Sequence, residues 1–85
     1  MANLISQKCY YAIKALFDLA RYESDSPIKI GQIAERQAIP IRFLEAILRQ
    51  LRQAGFVESR RGSDGGYLLA MRPMNIRLLD IIAFF

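Results

Sequence analysis

Histidine and tryptophan are absent from this sequence, and cysteine occurs once, as Cys9. One cysteine excludes an intramolecular disulfide. Without histidine, no Ser–His or Cys–His nucleophile and no His-rich metal centre can be assembled. No stretch is long and apolar enough to span a bilayer. Residues 1–4 lack the basic segment leading into an apolar one that a signal peptide needs. The stretch Gly62-Ser63-Asp64-Gly65-Gly66 lacks the lysine and the spacing of a phosphate-binding P-loop. Together these absences point to a cytoplasmic protein that is not an enzyme.

What is present is arginine, unevenly spread. The chain has 85 residues, one small domain with a modest core, and a net charge of +4. Basic and acidic residues nearly balance up to residue 41. Beyond it, Arg42, Arg49, Arg52, Arg60, Arg61, Arg72 and Arg77 face only Glu45, Glu58 and Asp64 as far as residue 77. Arginine makes forked hydrogen bonds to phosphate and to guanine. Its clustering on one helix and one hairpin says more than the total charge does.

Periodicity divides the chain into elements. Residues 5–22 read as a helix with Ile5, Cys9, Ala12, Ile13, Leu16, Leu19 and Ala20 on one face. Gln7, Tyr11, Lys14, Asp18 and Arg21 are expected on the other. Cys9 falls within the apolar face and reads as a small buried hydrophobe. A polar loop ends at Pro27. A short helix over 30–37 follows, with Ile30, Ile33 and Ala34 inward and Lys29 a poor N-cap. A third helix is predicted over 40–53, with Pro40 in its first turn and Gly55 just past its end. Ile41, Leu44, Ile47, Leu48 and Leu51 form its inner stripe, and Arg42, Ala46, Arg49, Gln50 and Gln53 the opposite face. The period then changes. Residues 56–61 and 66–72 read as strands around a glycine-tipped turn, with Tyr67 packing the hairpin onto the third helix. Asn75 is expected to cap a last, almost wholly apolar helix from residue 76.

Helix, short helix, tight turn, longer helix and basic hairpin is the order of a winged helix-turn-helix, mainly α with a small β-hairpin. In that arrangement the second helix of the pair enters the major groove. Arg42, near the helix start, and Arg49 supply guanidinium groups. Ala46 between them permits close approach to base edges. Phe43 and Glu45 complete the candidate reading surface. A Glu45–Arg49 pair at i,i+4 on a solvated face is the competing structural explanation. Arg60, Arg61 and Gly62 place two cations on a flexible turn that suits a phosphate or a narrow minor groove. Lys14 is a candidate phosphate contact.

Four stretches carry a resemblance to a known family: Ile33-Ala34-Glu35-Arg36-Gln37, Phe43-Leu44-Glu45, Leu51-Arg52-Gln53-Ala54-Gly55-Phe56-Val57, and Arg61-Gly62 with Gly65-Gly66-Tyr67-Leu68-Leu69-Ala70. They closely resemble the IscR-type bacterial regulators, whose relatives include nitric-oxide-sensing and cysteine-metabolism repressors. The resemblance covers almost the whole chain. It implies a homodimer that binds double-stranded operator DNA as a transcription regulator, most simply a repressor, with the third helix as recognition helix and Arg61 as the wing arginine. Many members carry a three-cysteine iron–sulfur site and a long dimerising helix further along, and Cys9 matches none of those ligands. Ala38 stands where glycine is common and Pro40 where a serine cap is common. Arg42 is a variable position, so no operator sequence is implied.

The expected organisation is a DNA-binding domain over 1–75 and, over 76–85, the start of a helix leading to a dimerisation or sensor segment. No cofactor is expected on these residues; an iron–sulfur cluster would need cysteines from a longer chain. Ile82, Phe84 and Phe85 are the expected dimer contacts, because a lone short helix would leave much of that apolar surface uncovered. A winged-helix module acting through protein contacts alone is the alternative. The basic wing and the cation-rich helix argue against it.

Overall fold

The computed structural model describes residues 6–22 and 26–85. Helix α1 (Gln7–Arg21) begins where the Ser6 hydroxyl accepts a hydrogen bond from the Cys9 backbone N–H at 3.0 Å. That bond satisfies one of the N–H groups a helix start leaves open. Cys9, Ala12, Ala15, Leu16 and Leu19 are buried along one stripe, with Ile13 and Ala20 half-buried at its margin. Ile5 and residues 23–25 of the expected loop lie outside the described residues. Asp18 overturns its polar-face assignment, because it is fully buried. Its carboxylate is covered by α2, a contact that helical spacing within α1 cannot report.

Helix α2 (Ile30–Gln37) has the expected bounds. Lys29 contributes no side-chain cap, and Gln32 Oε1 accepts from the Lys29 backbone N–H at 3.4 Å. The helix ends on Ala38 in the left-handed region, at φ 52°. There Ala38 N–H donates to Glu35 O at 3.4 Å and Ile39 N–H to Ala34 O at 3.0 Å. This is a Schellman ending built on alanine where glycine is the usual residue.

Helix α3 (Ile41–Gln53) starts one residue later than expected, with Pro40 as its N-cap. Leu44, Ile47, Leu48 and Leu51 have no exposed surface. Each such side chain contributes about 1.5–3 kcal/mol on burial. Ile41 departs from that stripe and is 46% exposed, since the first turn projects beyond the core. The helix closes on Gly55 at φ 88°, with Gly55 N–H to Arg52 O at 3.1 Å and Phe56 N–H to Leu51 O at 2.9 Å.

Strands β1 (Val57–Arg60) and β2 (Gly66–Leu69) pair antiparallel, Val57 opposite Leu69 and Arg60 opposite Gly66. Ile28 adds a third, one-residue edge by bridging Tyr67 through bonds of 2.9 and 2.8 Å. Gly66 makes that approach possible, since a Cβ there would stand 2.3 Å from Ile28 O. Tyr67 packs against the core. Its strand lies on α1, and β1 lies on α3, so the hairpin is seated by both strands.

After a 3-10 turn (Pro73–Asn75), α4 (Leu78–Phe84) begins two residues later than expected, with Arg77 rather than Asn75 at its cap. Proline draws Asn75 into the 3-10 turn. Ile81 is the buried anchor of α4 on α1, with its carbonyl 4.0 Å from Cys9 Sγ.

Candidate nucleic-acid interface

The burial of Leu44, Ile47, Leu48 and Leu51 fixes which side of α3 faces out. Arg42, Phe43, Glu45 and Arg49 are exposed there, and Ala46 is half-buried among them. Glu45 and Arg49 form no ion pair. Among the described residues the ion pairs are Arg36–Asp18 and Arg60–Glu58. The competing explanation of the α3 charges as a paired helix face therefore has no support in the geometry. Arg42 and Arg49 are left available to an external anion.

The wing tip carries Arg60, Arg61 and Gly62, all exposed. Arg60 lies 3.6 Å from Glu58 with both side chains more than half exposed, a pair that solvent screens to little. Arg61 has no ion pair among the described residues. Gly62 takes φ 105°, and its carbonyl accepts from Gly65 N–H at 3.0 Å, which closes the turn.

Two residues that the sequence did not place at the wing support it. Arg52 Nη1 donates to Ser59 Oγ at 3.1 Å, tying the end of α3 to β1. Lys29 Nζ donates to the Ser63 carbonyl at the turn. Lys29, Arg52, Arg60, Arg61 and Gly62 surround one open hollow of about 540 Å³. Four cations on one concave surface make a basic seat suited to a polyanion. Arg52 carried a weak sequence signal, as a further arginine on the flank of α3. Lys29 carried none.

Lys14 sits on α1 with its ammonium 5.2 Å from the Tyr10 ring centroid and 5.8 Å from that of Tyr11. Tyr11 in turn lies 6.3 Å from the Phe43 ring. Lys14 and Phe43, which the sequence could only propose separately, thus belong to one patch at the start of α3.

At the other end, Ile82 and Phe85 are half-buried against the core. Phe84 points outward at 45% exposure, beside Leu78 and Leu79 at 55% and 71%. Burial pushes the Cys9 thiol up from its ordinary value, so it stays protonated and poorly suited to ligate metal. Among the described residues no three His, Cys, Asp or Glu side chains come together as a metal site. No described helix is long and apolar enough to cross a membrane.

Comparison with known proteins agrees with this geometry. The model of the Rrf2 family, described as an iron-dependent transcriptional regulator, matches residues 5–85. A helix-turn-helix-type regulator of Synechocystis is 46% identical over 79 residues, covering 93% of this chain and 54% of that protein. IscR of Vibrio cholerae is 38% identical over 79 residues, covering 93% of this chain and 46% of that protein. Among solved structures, T. potens IscR superposes with a TM-score of 0.88 at 42% identity, covering 95% of this chain and 59% of that one. CymR, the global cysteine regulator of B. subtilis, gives 0.90 at 34% identity, covering 99% and 64%. The chain spans about half the length of the curated relatives it matches. The described residues do not fit the iron of the family description: the one thiol is sealed in the core and no ligand set surrounds it.

Proposed function

This chain belongs to the Rrf2 family of transcriptional regulators, and we propose that its residues are the operator-reading part of a repressor. α3 enters the major groove with Arg42, Ala46 and Arg49 facing base edges, Phe43 and Glu45 at their side. The wing brings Arg60, Arg61 and Gly62 to the adjacent backbone or minor groove. The observation that carries this reading is the unpaired, exposed guanidinium face of α3, joined to the basic wing through the Arg52–Ser59 bond.

The regulator acts in the bacterial cytoplasm, on the nucleoid, as a homodimer whose two recognition helices meet a pseudo-palindromic site. Leu78, Leu79 and Phe84 supply the uncovered apolar surface for pairing, with Ile82 and Phe85 packed behind them. These residues bind no iron–sulfur cluster, since three or four protein ligands are usual and a single thiol is present.

Duplex binding measured across a salt series tests the proposal. Each phosphate neutralised adds about −0.9 to the slope of log K against log salt. A steep negative slope is expected. A flat response, or no duplex binding at low salt, overturns it.

A further inference from the structure

We propose that the Tyr11 hydroxyl donates a hydrogen bond to a DNA backbone phosphate, and that Tyr11 and Lys14 form a phosphate grip flanking the groove that α3 enters. The inference rests on the DNA-binding reading above and adds to it a contact from α1. Gln7 Nε2 donates to the Tyr11 hydroxyl oxygen at 3.1 Å. A phenol has one hydrogen to donate. With the amide occupying an oxygen lone pair, that hydrogen is free, and among the described residues nothing accepts it. The ring is held in place. Phe43 of α3 stands 6.3 Å away at an interplanar angle of 58°, and Tyr10 stands 6.2 Å away at 34°.

Lys14 completes the grip. Its ammonium lies over both the Tyr10 and Tyr11 rings, and it forms no ion pair among the described residues. Rings hold a lysine ammonium by their negative faces without neutralising it. Gln7, Tyr10, Tyr11 and Lys14 recur at three- and four-residue intervals, so they share one side of α1. A neutral O–H donor beside a cation matches a phosphate, which accepts from both. The location agrees, because the patch touches α3 at Phe43, and the N-terminal residues of a recognition helix approach the bases. A side chain on α1 beside that end meets the flanking backbone.

The test uses the full chain and a labelled mixed-sequence duplex, because a phosphate contact acts on every sequence. Tyr11→Phe keeps the ring and removes only the donor. It is expected to weaken binding about tenfold, the worth of one charge-assisted hydrogen bond, with no change in the salt slope because the phenol is uncharged. Lys14→Met is expected to make the slope shallower by about 0.9. Gln7→Leu, an exposed change, removes the orienting amide and is expected to weaken binding by a smaller factor than Tyr11→Phe, again at constant slope. Should Tyr11→Phe lower the melting temperature, the Gln7 variant decides. If Tyr11→Phe and Gln7→Leu both bind like the parent while the parent binds DNA, the grip is wrong and the operator reading stands. If the parent binds no duplex, both fail.

Discussion

The guanidinium of Arg36 closes on the carboxylate of Asp18 through two parallel hydrogen bonds, Nε to Oδ2 at 2.9 Å and Nη2 to Oδ1 at 2.8 Å. Gln37 Nε2 adds a third at 3.1 Å, and the guanidinium lies 4.2 Å from the Tyr22 ring centroid. The cluster locks α2 onto α1 just before the turn that launches α3. It thereby anchors on α1 the helix from which the chain turns into α3.

Arg36→Ala leaves the Asp18 carboxylate buried without its counter-ion. Breaking a buried pair in this way costs about 3 kcal/mol, the low end being apt because the Arg36 side chain is 32% exposed. A domain of this size loses roughly 4–8 °C of melting temperature per kcal/mol, so a thermal scan by circular dichroism reads the effect. A variant melting within a few degrees of the parent would show that the carboxylate finds another partner.

The same cluster gives an acid response. Burial pushes the Asp18 carboxyl up, but the hydrogen bonds from Arg36 and Gln37 and the guanidinium charge outweigh it and hold the carboxyl below its ordinary value. Its contribution is complete above the unfolded carboxylate pKa of about 3.9 and is lost as pH falls through the lower folded value. The stability gap between the parent and Asp18→Asn is therefore expected to be constant near neutrality and to shrink in strong acid. Denaturant titrations along the pH series measure it. A gap that stays constant into strong acid overturns the assignment.

Ala38→Gly is expected to stabilise the chain. Alanine at φ 52° bears a steric cost of about 1–2 kcal/mol that glycine avoids. Glycine's greater freedom in the unfolded chain returns about 0.4–1 kcal/mol of that gain, leaving a net rise of about 0.5–1 kcal/mol. A loss of stability in urea titrations would mean that the αL geometry at residue 38 is wrong.

Arg42→Ala and Lys14→Ala should differ in kind. Loss of Arg42 is expected to cost about 1–3 kcal/mol on the best site and to relax sequence preference. Loss of Lys14 should weaken all duplexes alike. Binding to a selected and to a mixed-sequence duplex separates them, and equal losses on both duplexes for Arg42→Ala would remove it from base reading.

The apolar surface of α4 predicts association. Replacing Leu79 and Phe84, 71% and 45% exposed, with serine is expected to shift sedimentation toward monomer and to spare folding, since Ile81 remains the anchor. Unchanged sedimentation would exclude this face as the interface.

Local sequence alone determined the helices and hairpin, because their signals are short-range. The stripe Leu44, Ile47, Leu48 and Leu51 repeats with the helical turn. Gly55 marks a stop, and glycines bracket the wing turn. From these followed the outward face of α3 and the exposed arginines of the wing, and so most of the candidate interface. Tertiary structure decided the rest. Asp18 reads as a surface residue until Arg36, eighteen positions on, covers it. Ile28 has no strand neighbours in sequence and becomes a sheet edge only when Gly66 lets Tyr67 approach. Lys29 meets Ser63, and Tyr11 meets Phe43, across separations that no periodicity spans. Helical and strand patterns report which way a side chain points relative to its own element. Which partner waits there depends on how the elements pack, and in this chain that packing turned separate polar residues into a clamp, a wing support and a patch of rings and an ammonium group.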